Sequence, residues 1–576
     1  MSSLGSLYIG VSGLNSSQSA LNVTAHNLTN VDTDGFVRQQ VVQTDFNYIK
    51  IGDSYISPMQ TGLGSNIATV KQVRDSFLDQ AYRQENGRQA FYDAQYSAVS
   101  EVESLFGELE GVTFQETLNE YWTALQEVSK EPDSVVARAS LIQTAVTFVE
   151  RAQNISTQLN DYQINLNTQI EEKVNRVNEI GDNIRTLNLK IRQYESSGVE
   201  KANDLRDDRN NLLDELGQIA NISYKENPQG ITTVSVEDVP FVTEDVVYHM
   251  GTEKINETSE MLKPVWPTYG NIDVFNFDRQ ASSANNTDIG SLKGLLTARG
   301  YKQANYTDIP KSKDYASTAL YDNAVLDYNN KTDSSVIMTV QAEFDQLIHG
   351  IVTQMNSVLS PNKEVTLQDG TVINILDEEN APVGMDEDST MGEGLFNRKS
   401  MDRYSEAQEL DILNSAGVSE PTTVRVYNEE DSTNNYSLFT LGEIEVNPNI
   451  MQNYSLIALS SNTGTGDFDI GAAEKLIEIW QTPFATLSPN TLTENNFSDY
   501  YNSFISEIAN RGEQYNTIST NQTSMVDSIN NQRMEVTGVS SDEELTNMIK
   551  YQHAYNAAAR YVNVVSEMLA DIINKL

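Results

Sequence analysis

The chain has 576 residues, 39% of them apolar, and 82 acidic against 38 basic side chains give a formal net charge of −44. A chain this acidic repels phosphate-rich surfaces, which argues against nucleic acid or an anionic membrane as a partner. It holds no cysteine, so disulfides, thiolate metal sites and a cysteine nucleophile are excluded together.

At roughly 150 residues per domain the length suggests about four domains. No run approaches the ~20 apolar residues of a membrane span. The N-terminus lacks the basic and apolar regions of a cleaved signal peptide, so any secretion is expected by another route. A cysteine-free chain suits export in an unfolded state.

Residues 1–31 carry no Asp, Glu, Lys or Arg. Leu4, Leu7, Val11, Leu14, Gln18, Leu21, Ala25 and Leu28 recur at three- and four-residue spacing, a coiled-coil-like seam. Gly5, Gly10 and Gly13 each cost a helix about 1 kcal/mol relative to Ala. The segment is therefore predicted to be helical when packed and loose when alone. It should end near Asn30, with Asp34-Gly35 forming a turn in which Gly35 takes positive φ.

Residues 74–129 read as helix broken near Gly107 and Gly111, and Pro132 separates them from a helix starting close to Ser134. Leu166, Ile170, Lys173, Val177, Ile180, Ile184, Leu187, Ile191 and Tyr194 continue an apolar seam, with Val174 beside its one exception. Residues 230–250 alternate like paired strands about a Glu237-Asp238 turn. Residues 266–340 are rich in Asn, Asp, Tyr and Ser, and 365–450 mix short β-like runs with acidic loops. Residues 501–532 are again helix-like, with Tyr501, Phe504, Ile505, Ile508, Tyr515, Ile518, Met525 and Ile529 as the expected buried side. Ser541 and Glu544 read as a capping box. The helix it opens carries Leu545, Met548, Gln552, Tyr555, Ala559, Val562, Ser566, Leu569, Ile573 and Leu576 as its seam. At 1.5 Å per residue it would run roughly 52 Å. Two terminal stripes of similar character predict that they pack together or against neighbouring subunits.

No phosphate-binding G-x-x-x-x-G-K-[ST] loop and no H-E-x-x-H metal helix occurs. His26, His249, His349 and His553 lie far apart and form no ligand spacing. The Gly464–Asp469 stretch resembles part of a calcium loop without its closing Glu, and a loop capping the helix from Ala472 through Asp469 is the expected reading. Asp377-Glu378-Glu379 and Asp386-Glu387-Asp388 are read as solvated loops rather than cation sites. No catalytic, cofactor or metal residue is expected.

The stretch His26–Arg38, HNLTNVDTDGFVR, resembles the N-N-[IL]-A-N-x-x-T-x-G-[FY]-x-R signature of bacterial flagellar axial proteins, with His26 and Thr29 as departures. Residues 201–222, KANDLRDDRNNLLDELGQIANI, are similar to the A-N-D-L-x-D-x-R stretch of the flagellar hook-associated protein 1 family within that group. Segments 290–300, 343–358, 466–479 and 551–576 look like later landmarks of the same family, and 360–440 match least well.

The resemblance implies a secreted structural protein at the hook–filament junction, exported unfolded through the flagellar type III channel. Its expected partners are copies of itself in a ring or helical layer, the hook protein, the third hook-associated protein and an export chaperone on the C-terminal helix. The expected fold is mainly α with inserted mixed α+β or β outer domains, an elongated multidomain axial protein with terminal coiled-coil helices. Residues 1–38 and 535–576 would form the inner terminal domain, 39–222 and 490–534 a long-helix bundle, and 223–489 one or two outer domains. Leu4, Leu7, Val11, Leu14, Leu21, Leu28, Asn30, Gly35, Phe36, Leu545, Met548, Tyr555, Val562, Leu569, Ile573 and Leu576 are the expected assembly residues. Alternatives are a hook or distal rod protein, or an adhesin or enzyme carried by the outer block.

Overall fold

A computed structural model of the chain describes residues 3–53, 58–107, 113–198, 200–257, 259–277, 280–413, 417–460 and 470–575. The loop at Gly464–Asp469, Gly111 and Leu576 lie outside these. Twelve helices run through the described residues: α1 (Ser3–Thr29), α2 (Ser76–Phe106), α3 (Phe114–Lys130), α4 (Val135–Glu195), α5 (Asn203–Ile219), α6 (Ser291–Arg299), α7 (Thr318–Lys331), α8 (Val336–Leu359), α9 (Pro448–Gln452), α10 (Gly471–Gln481), α11 (Phe497–Thr537) and α12 (Ser541–Lys575). Their strands form only two- and three-stranded antiparallel sheets.

The breaks between helices follow local chemistry. Gly107 ends α2 in the left-handed conformation, and its N–H bonds Ser104 O. The Ser134 side chain accepts from Ala137 N and opens α4, which at 1.5 Å per residue runs about 90 Å. On α4 Leu166, Ile170, Val174, Val177, Ile180, Ile184 and Ile191 are buried, Leu187 is half-buried and Tyr194 is exposed. Val174 thus takes the place of Lys173, as an apolar stripe drifting along a 3.6-residue period requires. The hairpin of Thr232–Val236 and Val239–Val242 turns through Glu237 and Asp238, both at positive φ.

α2 and α11 pack antiparallel over their whole lengths, from Asp79 against Arg533 through Gln89 against Thr523 to Val99 against Gly512. On α11 Tyr501, Phe504 and Ile508 are buried, Ile505, Tyr515, Ile518 and Ile529 half-buried, and Met525 is exposed while its neighbour Val526 turns inward. A single apolar core joins these helices to α3, α4, α6, α8 and α10. At its centre Phe344 of α8 meets Phe114 and Phe106 edge-on, with centroids at 5.0 and 5.2 Å. The middle of the chain therefore supplies part of the bundle itself, because α8 is buried on nearly every face.

The terminal helices also pair antiparallel. Gly10 faces Val562, Gly13 faces Ala558, and Asn27 reaches Glu544. A hairpin of Gln39–Asp45 and Ser65–Gln72 flanks α1 on another side, where Ser12 Oγ accepts from Ser65 N and Ser16 Oγ donates to Ser65 O.

Candidate functional site: the terminal helix pair and its joint

The face of α1 turned to α12 consists of Gly10, Gly13, Ser17, Ala20, Thr24 and Asn27, spaced alternately by three and four. These small side chains let two backbones approach closely. A Cβ on Gly10 would stand 2.6 Å from Val562 Cγ2 and 3.0 Å from Tyr561 Cδ1. The expected leucine seam lies beside this face. Leu7, Leu14, Leu21 and Leu28 are half-buried at its margin and Val11 is exposed, while Leu4 is helical.

On α12, Met548, Tyr555, Val562 and Leu569 are half-buried on the side toward α1, and Val565 is buried. Leu545 and Ile573 point away and are exposed. A second stripe, Ile549, Tyr561, Val564, Met568 and Ile572, is exposed as well; Met568 shows 60% of its surface. Three of these, Val564, Met568 and Ile572, follow at helical spacing and make a continuous uncovered apolar ridge.

Two helices joined only by such a narrow face need a firm base, and the segment Asn27–Gln39 provides it. Asn27 brackets Gln39, donating from Nδ2 to its carbonyl at 2.9 Å and accepting its N–H on Oδ1 at 3.0 Å. Asn27 Nδ2 also donates to Glu544 Oε2 at 3.2 Å, and Arg38 Nε donates to Glu544 Oε1 at 2.9 Å. Glu544 is 2% exposed. It therefore does not close a capping box with Ser541. Instead Ser540 stands at the start of α12, its Oγ accepting from Glu543 N, and Glu544 is turned to the first helix. Arg38 also reaches Glu543 at 3.0 Å and its N–H donates to Thr537 O, tying α11 into the base.

Asn30 closes α1: Nδ2 donates to His26 O at 2.9 Å and Oδ1 accepts from Thr33 Oγ1 at 3.1 Å. Gly35 holds φ at +76°, where the backbone favours glycine, and a Cβ there would lie 2.2 Å from Oδ1 of the exposed Asn211, which would have to swing aside. Phe36 is half-buried and sets its ring edge-on to His26 at 5.4 Å, while Val37 is the residue that goes fully inside.

The matching socket is α5. Asp204 accepts from Gln39 Nε2 at 2.9 Å and approaches His26 Nε2 at 3.3 Å. Asp207 accepts from Val37 N at 3.2 Å, Gln72 Nε2 at 2.7 Å and, more distantly, Arg74 Nη1 at 3.5 Å. Burial pushes the Asp207 carboxyl up to about 7, against the pull of those donors. Asp214 receives Arg83 Nε and Arg533 Nη2, both at 2.6 Å. Arg533 and Arg74 converge on Asp79 at 2.8 Å each; burial alone would raise that carboxyl, and the two guanidiniums hold it low. Arg209 is buried and bonds Asn188 Oδ1, Gly230 O and Glu226, which locks α5 to α4. The A-N-D-L-x-D-x-R stretch is thus a polar socket whose acids and Arg209 bind three different elements.

Nothing in this arrangement sets a nucleophile against a base. His249 lies 3.1 Å from Asp182, and His349 lies 3.0 Å from Glu430. Asp377 and Glu379 face Lys363, Glu378 faces Arg425, and Asp386 accepts from Thr390 N within its own turn. Among the described residues no group of three or more His and acidic side chains is placed to hold a metal. Among them also, no helix is long and apolar enough to cross a membrane.

A long-helix bundle with its terminal helices paired on one polar joint is an elongated, multidomain structural arrangement. Residues 99–371 match the model of the flagellar hook-associated protein FlgK helical domain, 524–576 the flagellar basal body rod FlgEFG protein C-terminal model, and 7–36 the flagella basal body rod protein model. The chain is 26% identical to flagellar hook-associated protein 1 of Bacillus subtilis, over 97% of this chain and 96% of that one. It is 21% identical to the protein of that name from Escherichia coli, over 98% of each. The solved structure of the flagellar hook junction protein FlgK from Burkholderia pseudomallei shares the fold, with a TM-score of 0.53 at 13% identity, covering 80% of this chain and all of that one. The chain is thus similar along nearly its whole length to flagellar hook-associated protein 1, and is a structural component of the bacterial flagellum.

Proposed function

We propose that the chain forms the layer joining hook to filament, that it reaches this place unfolded through the export channel, and that it assembles through α1 and α12. The carrying observation is the uncovered ridge on the terminal pair, Val564, Met568 and Ile572, with Val11, Leu545 and Ile573 also exposed on the pair. Burying one such side chain yields roughly 1.5–3 kcal/mol, and a ring or helical layer of copies repeats that gain at every subunit. A charge of −44 per chain opposes such a layer, so apolar contact has to supply its cohesion.

Within this reading the hook protein is the neighbour below and the third hook-associated protein the neighbour above. An export chaperone would cover the α12 ridge until assembly. Residues 1–38 with 535–576 act as the inner domain, 39–222 with 490–534 as the frame of a bundle that α6, α8 and α10 complete, and the rest of 223–489 as the outer block. The chain performs no catalysis in this role. A Met568→Asp, Ile572→Asp double variant tests the proposal, because both side chains are exposed and the monomer should fold normally. Cells carrying it should make hooks, release flagellin into the medium and grow no filament. Normal filaments on such cells would overturn the assignment of the ridge.

A further inference from the structure

Arg299, the last residue of α6, is 1% exposed, and its hydrogen-bond partners are all neutral. Nε donates to Gly300 O at 2.9 Å, and Nη1 donates to Asn167 Oδ1 at 2.6 Å and to Leu262 O at 2.8 Å. No carboxylate among the described residues pairs with it, and burial pulls its guanidinium down to about 10 with nothing to oppose the shift. Arg398 is likewise buried and bonds only carbonyls, though Glu430 stands near it, and several other buried arginines have an acid beside them. Arg83 meets Asp214 and Arg209 meets Glu226, each at 2.6 Å, and Arg138, which bonds carbonyls, has Asp133 nearby. A buried cation is ordinarily paired, and a chain with 82 acids has no shortage of partners.

The same guanidinium lines a cavity of about 270 Å³. Its walls are largely apolar, including Pro264, Phe275, Phe277, Leu296 and Tyr301. The two lysines at its rim are already neutralised: Lys263 by Asp273 at 2.8 Å and Lys331 by Asp327 at 2.7 Å. Among the described residues the cavity thus combines an apolar interior with one positive charge that no carboxylate pairs. A cavity of ~150 Å³ already accepts a benzene ring, so this one has room for a ring or short chain with a head group.

We propose that this cavity binds a small apolar carboxylate, an aromatic or medium-chain aliphatic acid, whose head group becomes the counter-ion of Arg299. The carboxylate accepts from Nη2, the one guanidinium nitrogen with no protein acceptor among the described residues, and the hydrocarbon lies against Phe275, Phe277 and Leu296. A charge-assisted bond of this kind distinguishes an acid from the alcohol of the same length.

Calorimetric titration of the full-length monomer with octanoate, octanol and octylamine tests this. Octanoate should bind, octanol about tenfold more weakly, since one charge-assisted hydrogen bond is lost, and octylamine should give no binding heat. Thr297→Phe fills the cavity while leaving Arg299 in the sequence and should abolish octanoate binding. Arg299→Met, if its circular dichroism matches the parent, should bind octanoate no better than octanol; if it fails to fold, the ligand series and Thr297→Phe decide the matter. Equal binding of octanoate and octanol to the parent overturns the proposal. So does octanoate binding that survives Thr297→Phe, or no octanoate binding at millimolar concentration.

Discussion

Asn27 and Glu544, separated by 517 residues of chain, meet through a hydrogen bond of 3.2 Å, and Arg38 donates to the other oxygen of the same carboxylate. One buried acid therefore fastens the last helix to the turn that follows the first. Removing it leaves Asn27 Nδ2 with only Gln39 O and frees Arg38 from its inner partner. We expect Glu544→Ala to weaken the terminal pair by about 1–3 kcal/mol, the usual cost of orphaning a buried polar partner. Hydrogen exchange should then speed up in 5–30 and 541–575 while 160–191 stay protected. Unchanged exchange at both termini would show that the pair is held by its helical faces alone.

Close approach at Gly10 gives a second expectation. A methyl at this position would enter the space of Val562, whose Cγ2 stands 2.6 Å away. Ala is the better helix former by about 1 kcal/mol, so on propensity alone Gly10→Ala would stabilise α1. The clash should win. Cells carrying Gly10→Ala are expected to swim poorly, and adding Val562→Ala, which removes the opposing methyls, should restore motility. Failure of the second change to rescue the first would place the defect elsewhere than at this crossing.

The Asp207 carboxyl gives the joint a pH dependence. Its folded value, about 7, lies above the ordinary carboxylate value near 4. The native state thus holds its proton more tightly than the unfolded chain. The stability from this group is fully present below about pH 4 and is lost as pH rises toward about 7. Replacement by Asn keeps an acceptor for Val37 N and removes the titration. In denaturant titrations Asp207→Asn should match the parent near pH 4 and exceed it at pH 8, by on the order of 3 kcal/mol. Equal stability of the two proteins at pH 8 would mean that the surrounding donors hold the carboxylate ionised.

Gly35 offers a test of the socket. Any side chain there is strained at φ +76° and would press on Asn211. Gly35→Ala should disengage the turn from α5 and lower the amount of assembled protein. Gly35→Asn should be the milder of the two, because Asn tolerates left-handed φ and the exposed Asn211 side chain can swing aside. If Gly35→Asn is the harsher, contact with α5 rather than backbone strain dominates.

Much of the helical frame was legible because apolar residues repeat along it. The Leu166–Ile191 stripe, the Gly107 break and the Ser134 start are written in residues with strong local preferences. The α1 interface was not legible in the same way. Its packed face repeats with the same three–four spacing as the leucine seam, but it is built of Gly, Ser, Ala, Thr and Asn. A search for hydrophobicity therefore finds the neighbouring leucines, which lie at the margin; a search for recurring small residues would have found Gly10, Gly13, Ser17 and Ala20. Glu544 was legible only as a cap because its partners lie over five hundred residues away. The role of α8 was hidden for another reason. Gln341, Glu343, Asp345 and Gln346 are buried beside its apolar residues, so no polar face marks it as part of the core.

Pairing the first helix with the last also makes the fold a test of completeness. α1 lacks its helical partner until residues 541–575 have been delivered, and Asn27 and Arg38 have no Glu544 to meet. A chain that stops early, by truncation or by stalled transport, presents an N-terminal helix of glycines and serines that cannot hold its shape alone. If the layer assembles through this pair, such a fragment has no closed end to offer its neighbours and should be left out of it.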